Sequence, residues 1–289
     1  MKNKKNICVI GSGFSGISSA TYLASQGHNV YILEKNLKLG GRARQFSAKG
    51  FTFDMGPSWY WMPDVFEKYF KDFGKDINDY IKLKRLDPSY KVFFDDEVID
   101  IPADYNSLKD LLDSMEEGSG DKLDEFLAQA EKKYKVGIEN LVYKPGLSLS
   151  EFIDKDTISG IFELDVFKSM YNHIRKYFKN EKIIKLLEFP VLFLGATPKN
   201  TPALYSLMNY ADIKLGTWYP EGGMYKVVEA MINLAKEKGV KFYSGEEVRK
   251  FSYVNKNISH VITSKKTFDV DYVVCSGDYH HFDQNIIEE

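Results

Sequence analysis

The sequence predicts an α/β chain: a domain built on a parallel sheet, with a mostly helical segment inserted into it. Three observations predict it. An apolar strand pattern from Ile7 to Ile10 runs into a glycine turn and then a helical pattern. A second strand pattern, Asn29 to Leu33, follows that helix and completes strand–helix–strand. Strand and helix patterns alternate again only after Pro220, beyond a stretch from Ser107 to Phe193 that reads as helices.

The first turn carries the most specific signal. Gly11, Gly13 and Gly16 stand at the spacing G-x-G-x-x-G between a strand and the helix Ile17 to Ser25. Gly11 allows the tight turn, Gly13 lets a pyrophosphate approach the backbone, and Gly16 lets the helix pack close on the strand. Phe14 and Ser15 then lie where a helix N-terminus offers free N–H groups to phosphate. Glu34 ends the second strand, about the ~20-residue interval expected of a carboxylate that accepts ribose hydroxyls. Lys35 follows it, and Gly40-Gly41-Arg42-Ala43-Arg44 comes next. Gly41 permits close backbone approach and Arg42 suits a phosphate, with a solvated basic turn as the less favoured alternative for Arg42 and Arg44.

Composition narrows the class. The 289 residues are 44% hydrophobic and 28% charged with net charge −2, which suits a globular protein of one large or two domains. That balance gives no global attraction to nucleic acid or anionic lipid. The two cysteines, Cys8 and Cys275, fall in strand patterns and read as small buried hydrophobes in a reducing compartment, pointing to the cytoplasm. The lysine-rich start before the first strand is not read as a signal peptide, because three glycines break the apolar run. No apolar stretch reaches ~18 residues, so no membrane span is expected, and a peripheral attachment stays open. With 20 Phe, 19 Tyr and 3 Trp, the chain has aromatics enough for a large apolar cavity or for many core contacts.

In order along the chain, Phe51 to Asp54 alternates and turns at Gly56-Pro57-Ser58. Residues 64–73 form a helix whose stripe Val65, Phe66, Tyr69, Phe70 and Phe73 faces a core. Tyr90 to Phe94 and Val98 to Ile101 make a hairpin. Leu108, Leu111, Leu112 and Met115 line one helix, and Leu123, Phe126, Leu127 and Ala130 the next. Glu151 and Asp154 read as helix caps. Lys176, Lys179, Lys182 and Lys185 read as solvated faces of two further helices. A glycine turn at 222–223 opens a helix to Ala235, followed by strands at 240–243, 246–254, 258–262 and 268–275, then a helix from about Tyr279. The adjacent His280 and His281 read as surface residues rather than a metal pair, and no metal site is expected.

Taken together, this order of motifs resembles the flavin-dependent amine oxidase superfamily and, within it, the phytoene desaturase family. Gly11-x-Gly13-x-x-Gly16, Glu34, Gly40-Gly41-Arg42 and Gly56-Pro57-Ser58 match the superfamily's cofactor segments in order. Pro190-Val-Leu-Phe-Leu-Gly195, Pro202 to Tyr210 and Gly216-x-Trp218-Tyr-Pro-Glu-Gly-Gly-Met224 look like carotenoid desaturases rather than amine oxidases.

The resemblance implies an FAD/NAD(P)-binding Rossmann-like domain at residues 1–85 and 216–289, with a mostly helical (α+β) substrate domain at 86–215. It implies FAD as cofactor, held by Gly11, Gly13, Phe14, Ser15, Gly16, Glu34, Lys35, Gly41 and Arg42. Val248 would lie by the adenine through its backbone, and Gly56, Pro57 and Ser58 would approach the flavin ring. The implied reaction is desaturation of an apolar polyene such as phytoene, with oxygen or a quinone as final electron acceptor and a membrane surface as partner. Members of the family are much longer, so their C-terminal portion is expected to be missing here. An amine oxidase, or a fragment that needs a second polypeptide, are the alternatives. No catalytic acid or base is assigned.

Overall fold

The computed structural model describes residues 4–144, 147–148 and 168–287. It divides into two compact units: residues 1–60, 64–84 and 219–289, and residues 61–63 and 85–218.

The first unit is built on a four-stranded parallel sheet. Strand β1 (Asn6–Ile10) lies between Tyr272–Cys275 on one side and β2 (Asn29–Glu34) on the other, and Lys241–Ser244 extends the sheet beyond β2. Strands far apart in sequence therefore meet: Val9 pairs with Val274 on one side and Ile32 on the other. The near-continuous apolar run of β1 is what a strand covered on both faces requires. Cys8, Val9 and Ile32 are fully buried.

Helix α1 (Phe14–Ser25) crosses from β1 to β2 and packs beside the helix Tyr225–Glu237. Ile17, Ala20, Thr21 and Ala24 form its buried face. The Tyr225–Glu237 helix receives no cap from its own Met224; instead Asp54 accepts from the N–H groups of Met224 and Tyr225 at 2.7 and 3.1 Å. A carboxylate at this end complements the helix dipole.

A three-stranded antiparallel sheet, Val248–Val254, Asn257–Thr263 and Thr267–Asp269, sits on the same unit, with Val248, Phe251 and Val261 in a core shared with Cys8 and Leu33. The single strand expected at 268–275 is therefore two strands in two different sheets. Val270 is the pivot: its N–H donates to Ser259 while Asp271 N–H donates to Asn6, so successive residues serve different sheets. Apolar content alone does not show such a switch.

The second unit holds the hairpin Tyr90–Phe93 and Val98–Ile101 and the helices Tyr105–Met115, Ser119–Tyr134, Met170–Ile174 and Glu181–Glu188 around one apolar core. Leu108, Leu112, Leu123, Phe126 and Leu127 are all buried in it, as their spacing predicts. Lys176 and Lys179 lie outside any helix. Lys182 is not simply solvated: it pairs with Asp96 at 2.6 Å and with Glu97. Glu151 and Asp154 lie outside the described residues.

Candidate functional site

The C-terminal ends of the parallel strands open into a cleft of about 870 Å³, wholly within the first unit. Size and position match the ligand crevice of open α/β sheets. Its walls are Gly11 to Ser15, Glu34 to Asn36, Gly40 to Arg44, Pro57, Glu246 to Val248 and Cys275 to Asp278, with His281, Phe282 and Ile286 at one end.

The cleft is shaped by backbones held close together. A Cβ on Gly16 would sit 2.0 Å from the Gly11 carbonyl oxygen, so Gly16 is what lets α1 rise directly out of the turn. A Cβ on Gly13, by contrast, would meet nothing within 4 Å. That open ground lies at the head of α1, where no side chain caps the helix and no acidic residue occupies the first turn. N–H groups there are free to accept an anion as their partner. The Gly41 backbone packs against Gly13, within 2.9 Å of where its Cβ would lie.

Ser12 ties these segments together. It is fully buried. Its N–H and hydroxyl both donate to Glu34 Oε2, at 3.0 and 2.7 Å, and its hydroxyl and carbonyl oxygens both accept from Gly40 N–H at 3.1 Å. Glu34 Oε1 accepts from the N–H and side chain of Asn36, at 2.9 and 2.5 Å. Burial alone would raise the Glu34 pKa, but the hydrogen bonds from Asn36 and Ser12 more than offset it and hold it below the ordinary glutamate value. Glu34 thus knits the glycine turn to the end of β2 while presenting a carboxylate to the cleft.

Of the residues expected from sequence, Gly11, Gly13, Phe14, Ser15, Glu34, Lys35, Gly41, Arg42, Pro57 and Val248 line this one cleft. Gly16, Gly56 and Ser58 are not among its lining residues. Gly16 is buried under the turn, and Ser58 is exposed. Gly56, at φ +84°, lies so close to the Arg42 carbonyl that a Cβ would come within 2.6 Å of it; it shapes the wall from behind. Cys275 is half-buried at the cleft rather than in the core, while Cys8 is buried and its thiol is pushed up to about 12 by desolvation; neither is bridged.

Sequence reasoning missed Ser12, Asn36 and the run Ser276-Gly277-Asp278. Ser12 occupies a free position of the glycine motif, where no residue type is demanded. The 276–278 run was legible in principle, since it directly follows a strand of the parallel sheet, where ligands gather.

The cleft's charges are unevenly partnered. Glu34 has its four donors; Glu246 accepts from Thr263 at 2.6 Å and lies 3.7 Å from Lys266; Glu247 pairs with Arg249 at 2.6 Å; Asp278 caps the last helix through His281 N–H. The side chains of Lys35, Arg42 and Arg44 have no hydrogen bond or ion pair among the described residues. A wall whose acids are satisfied and whose cations are not fits an anionic ligand, such as the pyrophosphate of a dinucleotide.

Residues 14–285 match the family model described as flavin containing amine oxidoreductase. The chain belongs to this family. Its flavin accords with the FAD expected from sequence. Curated relatives include a carotenoid 3,4-desaturase from Haloarcula japonica, 37% identical over 287 residues, which are 99% of this chain and 58% of the relative. A 4,4'-diapophytoene desaturase (4,4'-diaponeurosporene-forming) from Staphylococcus aureus is 36% identical over 279 residues, 96% of this chain and 54% of the relative. The chain thus spans a little over half the length of the curated relatives it matches. Among solved structures, wild-type putrescine oxidase bound to putrescine matches with TM-score 0.63 at 12% identity, over 98% of this chain and 60% of that one, a likeness of fold.

Proposed function

We propose that this chain is the FAD-binding part of a carotenoid-type desaturase, acting on CH–CH bonds of an apolar polyene precursor. The observation that carries the reading is the cleft: an uncapped helix head at Gly13 to Ser15, unpaired cations and a buried carboxylate at Glu34, on the strand ends of a chain related to carotenoid desaturases. The backbone N–H groups at the head of α1 would receive the pyrophosphate, with Arg42 adding charge. Glu34 would accept from ribose hydroxyls in exchange for one of its four donors from Ser12 and Asn36. Val248, at the start of its strand, would offer backbone to the adenine end. Residues 1–84 and 219–289 would serve the cofactor, and the largely helical unit would serve the substrate. FAD, when bound, supplies a two-electron acceptor for a hydride leaving the polyene; the protein supplies its position and a dry surrounding.

A peripheral membrane contact belongs to the same reading, because the substrate is apolar. The hairpin Gln45–Ala48 and Phe51–Asp54 puts Phe46, Ala48, Phe51 and Phe53 on one exposed face and Gln45, Ser47, Thr52 and Asp54 on the other. No helix among the described residues is long and apolar enough to cross a membrane.

The test is a visible spectrum and a flavin titration of the purified chain, followed by a desaturation assay on a polyene precursor with a form of the protein as long as its relatives. A yellow protein with bound FAD and desaturated product is expected. A chain that binds only nicotinamide nucleotides would refute it.

A further inference from the structure

We propose that Arg44 is a second cationic contact of the cleft, binding the pyrophosphate of the cofactor as a hydrogen-bonding fork. The inference rests on the dinucleotide reading above.

Position supports it. Gly40 is hydrogen-bonded to Ser12, and Gly41 packs on Gly13, so the 3₁₀ turn Gly41–Ala43 starts beside the head of α1. Arg44 ends that turn in extended backbone and is pinned there, its carbonyl accepting from Met55 N–H at 2.7 Å. Its side chain lines the cleft, half-buried, and Nε is shielded from solvent with no hydrogen-bond partner. A guanidinium keeps its charge, and a buried unpaired donor on it is costly. The acids that share the cleft wall each have partners of their own, so none of them answers Arg44. Arg42, by contrast, is exposed, where water can satisfy it. Arg44 is therefore not a simply solvated turn residue: the cleft holds a half-buried arginine whose shielded Nε lacks a partner.

The test compares the parent chain with Arg44→Gln and Arg44→Lys, titrated with FAD, ADP and adenosine at low and high salt. Losing a charge-assisted pair should weaken FAD and ADP by about tenfold or more in Arg44→Gln, while adenosine, which has no phosphate, binds as before. Arg44→Lys should recover only part, because it keeps the charge but not the fork. The parent's ADP affinity should fall more steeply with salt than that of Arg44→Gln. Unchanged ADP affinity in Arg44→Gln would overturn the assignment, as would equal losses for ADP and adenosine. Should Arg44→Gln fail to fold by thermal melt, Arg44→Met, which keeps the apolar stem, takes its place with the same expectations. A parent that binds ADP but not FAD refutes the flavin reading and leaves Arg44 to be judged on ADP; a parent that binds neither overturns both.

Discussion

Two glycines at the head of α1, Gly13 at its cap and Gly16 in its first turn, separate the fold from the ligand. Gly16→Ala places a Cβ 2.0 Å from the Gly11 carbonyl oxygen, 3.1 Å from its carbon and 3.2 Å from Ser276 Cβ. To restore an ordinary contact the head of α1 must retreat by about 1 Å, against a buried face of Ile17, Ala20, Thr21 and Ala24 that has no slack. Overpacking costs about 1–3 kcal/mol and occasionally more; with a backbone carbonyl 2.0 Å away this site lies at the upper end, so a loss of about 2 kcal/mol remains after the better helix propensity of alanine returns roughly 1 kcal/mol. Gly13→Ala meets nothing within 4 Å, and Gly13 already sits at φ −73°, which alanine adopts freely. Its methyl would occupy the ground where phosphate should lie. One charge-assisted hydrogen bond lost there, about 1.5–3 kcal/mol, is roughly a ten- to hundredfold loss of FAD affinity. The assay is a thermal or urea melt of each variant without ligand, followed by flavin titration. Gly16→Ala should melt several degrees lower; Gly13→Ala should melt like the parent and bind FAD poorly. A Gly13→Ala chain with parental flavin affinity, or a Gly16→Ala chain of parental stability, would refute the reasoning.

Other outcomes follow from single groups. Glu34→Gln sets an amide N–H₂ against donors from Ser12 or Asn36, so stability without ligand should fall by about 1–3 kcal/mol, readable by urea melts. Because the Glu34 pKa is held low in the folded chain, its contribution is present above the ordinary glutamate value and lost as pH falls through the folded one. Asp212 has the opposite sign: burial pushes it up to about 6, despite hydrogen bonds from Tyr90 and Thr217 and the nearby Arg85. Stability should therefore decline by on the order of 3 kcal/mol as pH rises from about 4 to about 6, and Asp212→Asn should flatten that slope in denaturant melts taken across the window. Phe51→Glu on the exposed hairpin face should reduce flotation with anionic liposomes without changing flavin affinity.

Much of the first unit was legible because its signals are local. A strand, a glycine turn and a helix must follow one another in the chain, so Gly11, Gly13 and Gly16 announce the turn without any knowledge of its surroundings. Leu108 to Met115 and Leu123 to Ala130 likewise show their buried faces through spacing alone. Where the sequence reading failed, the deciding contact was distant in the chain. The run 268–275 is one apolar pattern, and only the neighbours Ser259 and Asn6, competing for successive N–H groups, divide it between two sheets.

The sequence by itself determined the crossover that creates the cleft and the residue types that face it, because backbone freedom and charge are properties of the residues. Tertiary structure alone decided how those residues are used. It buried Glu34 under donors from Ser12 and Asn36, making a presumed ligand group also a brace of the loop. It half-buried Arg44 and shielded its Nε while leaving Arg42 exposed, although the two line one cleft and belong to one basic run. The physical reason is that hydrogen-bond satisfaction is settled in three dimensions: a charge has no orphaned donor until the fold has assigned every acceptor around it.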